Sequence, residues 1–241
     1  MADQDQGLIV VRTVADLRRT VASFRKQGRT IGLVPTMGAL HEGHVSLVRG
    51  ALDRGDVPVT SIFVNPTQFG PNEDFAAYPR DEQGDLDKLT AAGCRIAFAP
   101  TKEEMYPGQP LTTVRVTGIT DGLCGPLRPG HFEGVATVVS KLMLMAMPDR
   151  AYFGEKDYQQ LQVIKRMVHD LAMPFEIVGM PTVREADGLA MSSRNRYMSP
   201  EERTKAVALY RELNNVAKAV RAGKSATEAT RAATEALLAA G

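Results

Sequence analysis

The sequence predicts an α/β fold: a doubly wound, mostly parallel sheet over residues 7–180, followed by a largely helical second domain. Three observations predict it. Short apolar runs alternate with helix-forming stretches; the runs end in polar turns marked by Gly or Pro; and from Pro200 the pattern becomes Ala-rich amphipathic helix. At 241 residues, 44% hydrophobic and 24% charged, the chain can bury one large core with a small appendage beside it.

Gly7 to Arg12 reads as the first strand. Thr13 then starts a helix to about Lys26, with Asp16 as a capping partner and Gly28 as the stop. Ile31 to Val34 is a buried strand ended by Pro35; Gly38 sits in the turn that follows, and a helix runs from Gly43 to about Leu52. Val57 to Val64 is a β-branched strand running into Asn65-Pro66. Asp74 to Arg80 is loop, and Asp81 to Gly93 a helix on which Asp81, Glu82, Asp85 and Asp87 form a solvated acidic face. Arg95 to Ala99 is a strand, Thr101 to Tyr106 one helical turn, Thr112 to Val116 a shorter strand, and Gly118 to Gly130 a long mobile loop.

His131 opens an apolar helix whose run from Val135 to Met147 is too short for a bilayer and is interrupted by Ser140 and Lys141. Beside Arg128, His131 either caps that helix or clamps a substrate. Ala151 to Phe153 is a strand, Tyr158 to Leu171 a helix, and Phe175 to Met180 the last strand. READGLAMSSRNRYMS is a polar, flexible loop before helices from Pro200 to Arg221 and Ser225 to Leu238.

Charge narrows the function classes. Twenty-nine basic and 28 acidic residues leave a net charge of +1, which offers nothing to nucleic acid or an anionic membrane. Any anion site is therefore local. MADQDQGLIVV lacks the basic start and long apolar run of a secretory signal, so a cytoplasmic location is expected. Cys94 and Cys124 are too few for a disulfide scaffold or a metal clip.

The local anion site is the stretch IGLVPTMGALHEGH, Ile31 to His44. A strand feeding a helix N-terminus presents backbone N–H groups and the positive end of the helix dipole to an anion such as phosphate. His41 and His44 add side-chain donors, and Gly38 and Gly43 lack the Cβ atoms that would hold a nucleotide off the backbone. The same two histidines also fit a structural turn, or metal ligation, although no third ligand lies near in sequence. Three further polar clusters end strands in the same way. Asn65, Thr67 and Gln68 follow one strand; Gly154, Glu155, Lys156 and Asp157 follow another, with Gln160 one turn on; Ser192, Ser193 and Arg194 offer hydroxyls and a bidentate guanidinium to an anion.

The His pair resembles the H-x-G-H signature of the nucleotidyltransferase superfamily. Taken in order from about Leu8 to Met198, PTMGALHEGH, FVNPTQF, RPGHFEGVATVV, YFGEKDYQQL and PTVREADGLAMSSRNRY resemble the pantoate–β-alanine ligase family. The resemblance implies a Rossmann-like domain over 1–183 that binds nucleotide and pantoate, and over 184–241 the start of a lid domain that continues further in relatives. It implies an ATP-dependent condensation of pantoate with β-alanine to pantothenate through a pantoyl adenylate, releasing pyrophosphate and AMP. The alternatives are a nucleotidyltransferase for another acceptor and a silent nucleotide-binding fragment.

By that resemblance, Met37, Gly38, Ala39, Leu40, His41, Glu42, Gly43 and His44 cradle the ATP phosphates, with His44 as the catalytic proton donor. Gly154, Glu155, Lys156, Asp157, Val183, Met191, Ser192, Ser193 and Arg194 are further ATP positions. Gln68 and Gln160 are expected to bind pantoate, Gln68 also β-alanine, with Asn65 beside them. Mg²⁺ is expected with ATP. Some relatives carry adjacent acids where this chain has Gly84-Asp85, which leaves Asp85 as a candidate metal contact. A homodimer is also implied. The chemistry agrees, since a carboxylate is already ionised at neutral pH and needs no general base. Catalysis then consists of positioning two anions and neutralising phosphate charge, for which His41, His44, Lys156 and Arg194 are the candidate donors.

Overall fold

The computed structural model describes residues 7–241, and the N-terminal stretch read for a secretory signal falls largely outside them. The chain divides between Pro181 and Thr182 into two compact units, against an expected change of domain after residue 183.

In the first unit the order is β1 (Ile9–Val11), α1 (Val14–Lys26), β2 (Ile31–Thr36), α2 (Glu42–Asp53), β3 (Val57–Ile62), α3 (Glu82–Ala91), β4 (Ile96–Phe98), the single turns α4 (Lys102–Met105) and α5 (Cys124–Leu127), α6 (His131–Ala146), β5 (Arg150–Gly154), α7 (Tyr158–Asp170) and β6 (Glu176–Met180). The six strands form one sheet in the order β1-β4-β3-β2-β5-β6 with every neighbouring pair parallel. The α/β reading is therefore borne out. From β2 the chain builds outward to β3 and β4 on one side and to β5 and β6 on the other, so the direction of winding reverses beside β2. In such sheets ligands bind beyond the carboxyl ends of the strands at the reversal.

Apolar residues on the two sheet faces form two cores. One joins Leu17, Val21 and Phe24 of α1 to Val135, Val139 and Leu142 of α6 and Leu161 and Ile164 of α7. The other joins Val45 and Val48 of α2 to Leu89 of α3 and Val178 of β6. The apolar stretch after His131 is thus a core helix, buried along most of its length.

Pro35 does not end its strand. The carbonyls of Thr30 and Thr36 bond toward β3, and that of Ile31 toward the strand on the other side, so Pro35 faces β5. The β2–β5 register covers only Gly32 and Leu33, and the missing N–H therefore costs no ladder bond. Thr112 to Val116, expected as a strand, makes no ladder among the described residues. Its Val114 N–H instead donates to the Thr137 hydroxyl at 2.9 Å.

The second unit begins with an antiparallel bridge between Arg184 and Ala190, tightened by Met191 N–H donating to Val183 O at 3.0 Å. A 3-10 turn, Ser193–Tyr197, leads to α8 (Pro200–Ala206), α9 (Ala208–Arg221) and α10 (Ala226–Ala240). The expected single helix from Pro200 is two, because the bond ladder is interrupted at Val207 although its dihedral angles stay helical. Ser199 and Glu202 close a capping box at its start, and Ser225 caps α10. Among the described residues no helix is long and apolar enough to cross a membrane.

Candidate active site

Three adjacent strands, β3, β2 and β5, end at three of the polar clusters predicted from sequence. The turn after β2 is the most constrained. Gly38 and Ala39 both have positive φ, +79° and +50°, which reverses the chain into α2. His41 is the N-cap of α2: its Nδ1 accepts the Gly43 N–H at 3.1 Å, while His44 Nδ1 accepts the His41 N–H at 3.3 Å. Two histidines thus form a capping box of the kind usually made by Ser and Glu. The rings lie 4.1 Å apart, centroid to centroid.

These bonds settle the tautomers. A backbone N–H can only donate, so both Nδ1 atoms are bare and each neutral ring carries its proton on Nε2. Burial lowers the His44 pKa to about 3, with the neighbouring His41 and the Lys156 ammonium adding to the same effect. His44 is therefore neutral at physiological pH and offers Nε2–H as a hydrogen-bond donor. β5 lies next to β2 in the sheet, so the two clusters follow adjoining strands.

The backbone N–H groups expected to meet phosphate are mostly bonded within the protein. Gly38 N–H donates to Thr36 Oγ1 at 3.2 Å, and Ala39 and Leu40 N–H donate to the Asp85 carboxylate at 2.8 and 2.7 Å. The side chains of Ala39 and Leu40 are buried in the core. Glu42, also expected at the cradle, is exposed and paired with Arg49 on its own helix. The outward donors of this turn are imidazoles rather than peptides.

Asp85 corrects a second expectation. It is 1% exposed, not part of a solvated acidic face. Both carboxylate oxygens accept N–H groups, and among the described residues no three His, Cys, Asp or Glu side chains are grouped to hold a metal ion. The residues present do not fit a protein-held metal centre.

The β3 cluster turns on Asn65, 1% exposed. Its Oδ1 accepts from the Tyr106 hydroxyl at 2.8 Å and from Thr67 Oγ1 at 3.0 Å, and its Nδ2 donates to Gln68 Oε1 at 3.1 Å. Gln68 in turn reaches Met37 Sδ at 3.2 Å, which links this cluster to the β2 turn. His131 neither caps α6 nor stands apart. Its Nδ1 donates to the Gln68 carbonyl at 2.9 Å, and its Nε2 accepts from Arg128, itself paired with Glu73. Desolvation lowers the His131 pKa, in keeping with a neutral ring. Gly134 allows α6 to press on this segment, since a Cβ there would lie 2.3 Å from Thr67 O.

His131 and Gly134 lie in the RPGHFEGVATVV run, but nothing in that run marks them as supports for Asn65 and Gln68, and Tyr106 lies in no such run. The only signal was the RPGH run ahead of an apolar helix.

In the β5 cluster, Gly154 ends the strand, and Glu155 to Asp157 form a 3-10 turn into α7. Lys156 Nζ lies 3.5 Å from Asp157 Oδ2, a partly exposed and weak pair. Gln160, one turn on, is half-buried. Its neighbour Gln159 ties down the preceding loop through Ile119 O and Gly122 O at 3.0 and 2.8 Å.

The second unit holds Val183 and Met191–Arg194. Val183 and Met191 are bonded to each other, Ser192 Oγ caps the 3-10 turn by accepting Arg194 N–H at 3.2 Å, and Ser193 is buried. The Arg184 guanidinium stacks 3.8 Å from the centroid of the Tyr210 ring and donates to Gly188 O, anchoring this loop to α9.

Similarity to known proteins follows the same elements. Residues 9–241 match the family described as Pantoate-beta-alanine ligase. A pantothenate synthetase of Paramagnetospirillum magneticum is 57% identical over 96% of this chain and 82% of its own length; one of Moorella thermoacetica is 57% identical over 94% and 80%. The crystal structure of pantothenate synthetase from Thermus thermophilus superposes with a TM-score of 0.91 at 53% identity, covering 96% of this chain and 82% of that one. The pantoate-beta-alanine ligase of Francisella tularensis, solved with beta-gamma ATP and beta-alanine, gives 0.80 at 40% identity over 86% and 79%. A parallel sheet reversing at β2, a histidine-capped turn at that reversal and this breadth of identity agree: the chain belongs to the pantoate–β-alanine ligase family.

Proposed function

We propose that this chain condenses (R)-pantoate with β-alanine at the expense of ATP, through a pantoyl adenylate. The observation that carries the reading is the pair of imidazoles capping α2, both with Nδ1 turned to a backbone N–H, which leaves both Nε2 atoms as the donors.

In the first half-reaction a pantoate carboxylate oxygen bonds to the α-phosphorus as the bond to pyrophosphate breaks. His41 and His44 donate to the phosphate oxygens on which charge builds, Lys156 and Arg194 neutralise the leaving group, and no group must remove a proton. Met37 to His44, Gly154 to Asp157, Val183 and Met191 to Ser193 border the nucleotide, with Ala39 and Leu40 as frame. Gln68 and Gln160 hold pantoate, and Asn65 sets the Gln68 amide. In the second half-reaction the unprotonated β-alanine amine attacks the acyl carbonyl, the bond to AMP breaks, and the amine loses one proton as the amide forms. Mg²⁺ would enter with ATP and would offset phosphate charge, with no residue of this chain assigned to hold it. A cytoplasmic homodimer completes the proposal.

The test is incubation with ATP, pantoate and β-alanine, measuring pyrophosphate and AMP separately. Pantoate-dependent pyrophosphate release, with AMP appearing on addition of β-alanine, is expected. Release that needs no pantoate, or none at all, overturns the reading.

A further inference from the structure

We propose that Asp85 is the positioning residue of the β2 turn, its carboxylate filling the concavity made by the Ala39 and Leu40 N–H groups and so setting His41 and His44, and that it is not a metal ligand. This rests on His41 and His44 acting on the nucleotide phosphates.

Four features of the structure support it. First, Gly38 and Ala39 are successive residues with positive φ, a conformation that turns neighbouring N–H groups to one side and makes an anion-binding hollow. In this protein a side chain supplies the anion, with Oδ2 on Ala39 N–H and Oδ1 on Leu40 N–H at 2.8 and 2.7 Å. Second, the fit is close: a Cβ on Gly38 would stand 2.9 Å from Asp85 Oδ2, at a φ of +79° that already favours glycine. Third, Leu40 immediately precedes His41, the N-cap on which both imidazole bonds depend. Holding the Leu40 N–H fixes the peptide from which the histidine pair is hung.

Fourth, α3 is anchored independently of the turn. Asp81 caps it through Gly84 N–H at 3.0 Å, and Glu82 pairs with Arg12 next to β1 at 2.5 Å. Leu89, one turn on, is fully buried in the core that holds Val45 and Val48 of α2, so Asp85 projects into the turn from a packed helix. A cation at this carboxylate would meet the positive ends of two N–H dipoles, which favour the bare carboxylate instead. The acid that the family resemblance offers to a metal thus serves the histidines.

Asp85→Asn keeps the shape but sets an amide NH₂ against a backbone N–H. It is expected to lower kcat by roughly 10- to 100-fold, the scale of about a 1 Å misplacement of a catalytic group. The Mg²⁺ concentration for half-activation at saturating ATP should stay within about twofold of wild type, and the His41 and His44 side-chain ¹H–¹⁵N signals should leave the Nε2–H tautomer pattern of wild type. Recovery of activity by excess Mg²⁺ or Mn²⁺, or an unchanged kcat with unchanged imidazole signals, overturns the proposal.

Should the variant not fold, wild-type protein decides. Ala39 and Leu40 amides are expected to exchange as slowly as those of β2 and to keep their signals when Mn²⁺ is added without nucleotide. Fast exchange or selective broadening there sinks it. His44→Ala separates the two readings: if it leaves activity intact, the site assignment fails, whereas an inactive His44→Ala beside a fully active Asp85→Asn defeats only the role given to Asp85.

Discussion

At the scale of single residues, the proposed role of His44 ties stability to catalysis in one ring. Its Nδ1 is committed to the His41 N–H, so its catalytic capacity lies in Nε2–H, and a pKa of about 3 keeps that donor neutral. His44→Ala removes one preorganised donor and is expected to lower kcat/KM by about a hundredfold or more, measured by pyrophosphate release. A loss under about threefold would take His44 out of the mechanism. The same ring makes folding pH-dependent. Its folded pKa lies below the unfolded value of 6.5, so its contribution is whole above pH 6.5 and is lost as pH falls toward about 3. Between pH 7 and pH 5 that loss is at most about 2 kcal/mol, since one pKa unit is worth about 1.4 kcal/mol. His44→Gln should lose correspondingly less stability than wild type over this interval, as read from urea midpoints. Equal losses would show that the ring titrates normally in the folded protein.

At the scale of elements, the site depends on how closely α6 meets the segment after β3. Gly134→Ala sets a Cβ 2.3 Å from Thr67 O, backbone against backbone, with no flexible side chain to yield. The expected cost is about 1–3 kcal/mol, and because Asn65 Nδ2 also donates to Gly134 O, the pantoate KM should rise more than the ATP KM. Equal rises would argue against a local effect. Elements of this kind mark how far sequence could be read. Strand ends and helix caps such as Thr13 with Asp16 were legible because they are local: the capping residue and the N–H that it meets lie three positions apart. Pairings over long separations were not. Asp85 looked like one acid among four on a solvated helix because its partners lie 46 and 45 residues away. His131 looked like a cap because its bond to Gln68 O spans 63 residues. Pro35 misled for the same reason: whether it ends a strand depends on which neighbour its missing N–H would have faced.

At the scale of the whole first unit, the two ends of the sheet do different work. The carboxyl ends of β2, β3 and β5 carry the candidate site, whereas their amino ends are tied by Asp56, a buried carboxylate just before β3. It accepts from Thr30 Oγ1 at 2.6 Å, Arg150 at 2.7 Å and the Tyr152 hydroxyl at 2.6 Å, joining the starts of the three central strands. Burial and the Asp56 carboxylate push the Tyr152 phenol well above its ordinary value, so tyrosine stays a donor at any working pH. Asp56→Ala would leave a buried hydroxyl and part of a guanidinium without their acceptor, a change expected to cost about 3–5 kcal/mol. For a chain of this size that is a fall in melting temperature of roughly 6–20 °C. At 25 °C, below the unfolding transition, kcat/KM should stay within about threefold of wild type, because the strands run 5 or 6 residues from this network to the site and their ladders are untouched. If activity fell instead in proportion to stability, the amino-terminal clasp and the histidine turn would be one cooperative unit, and the separation of scaffold from chemistry along the strands would be wrong.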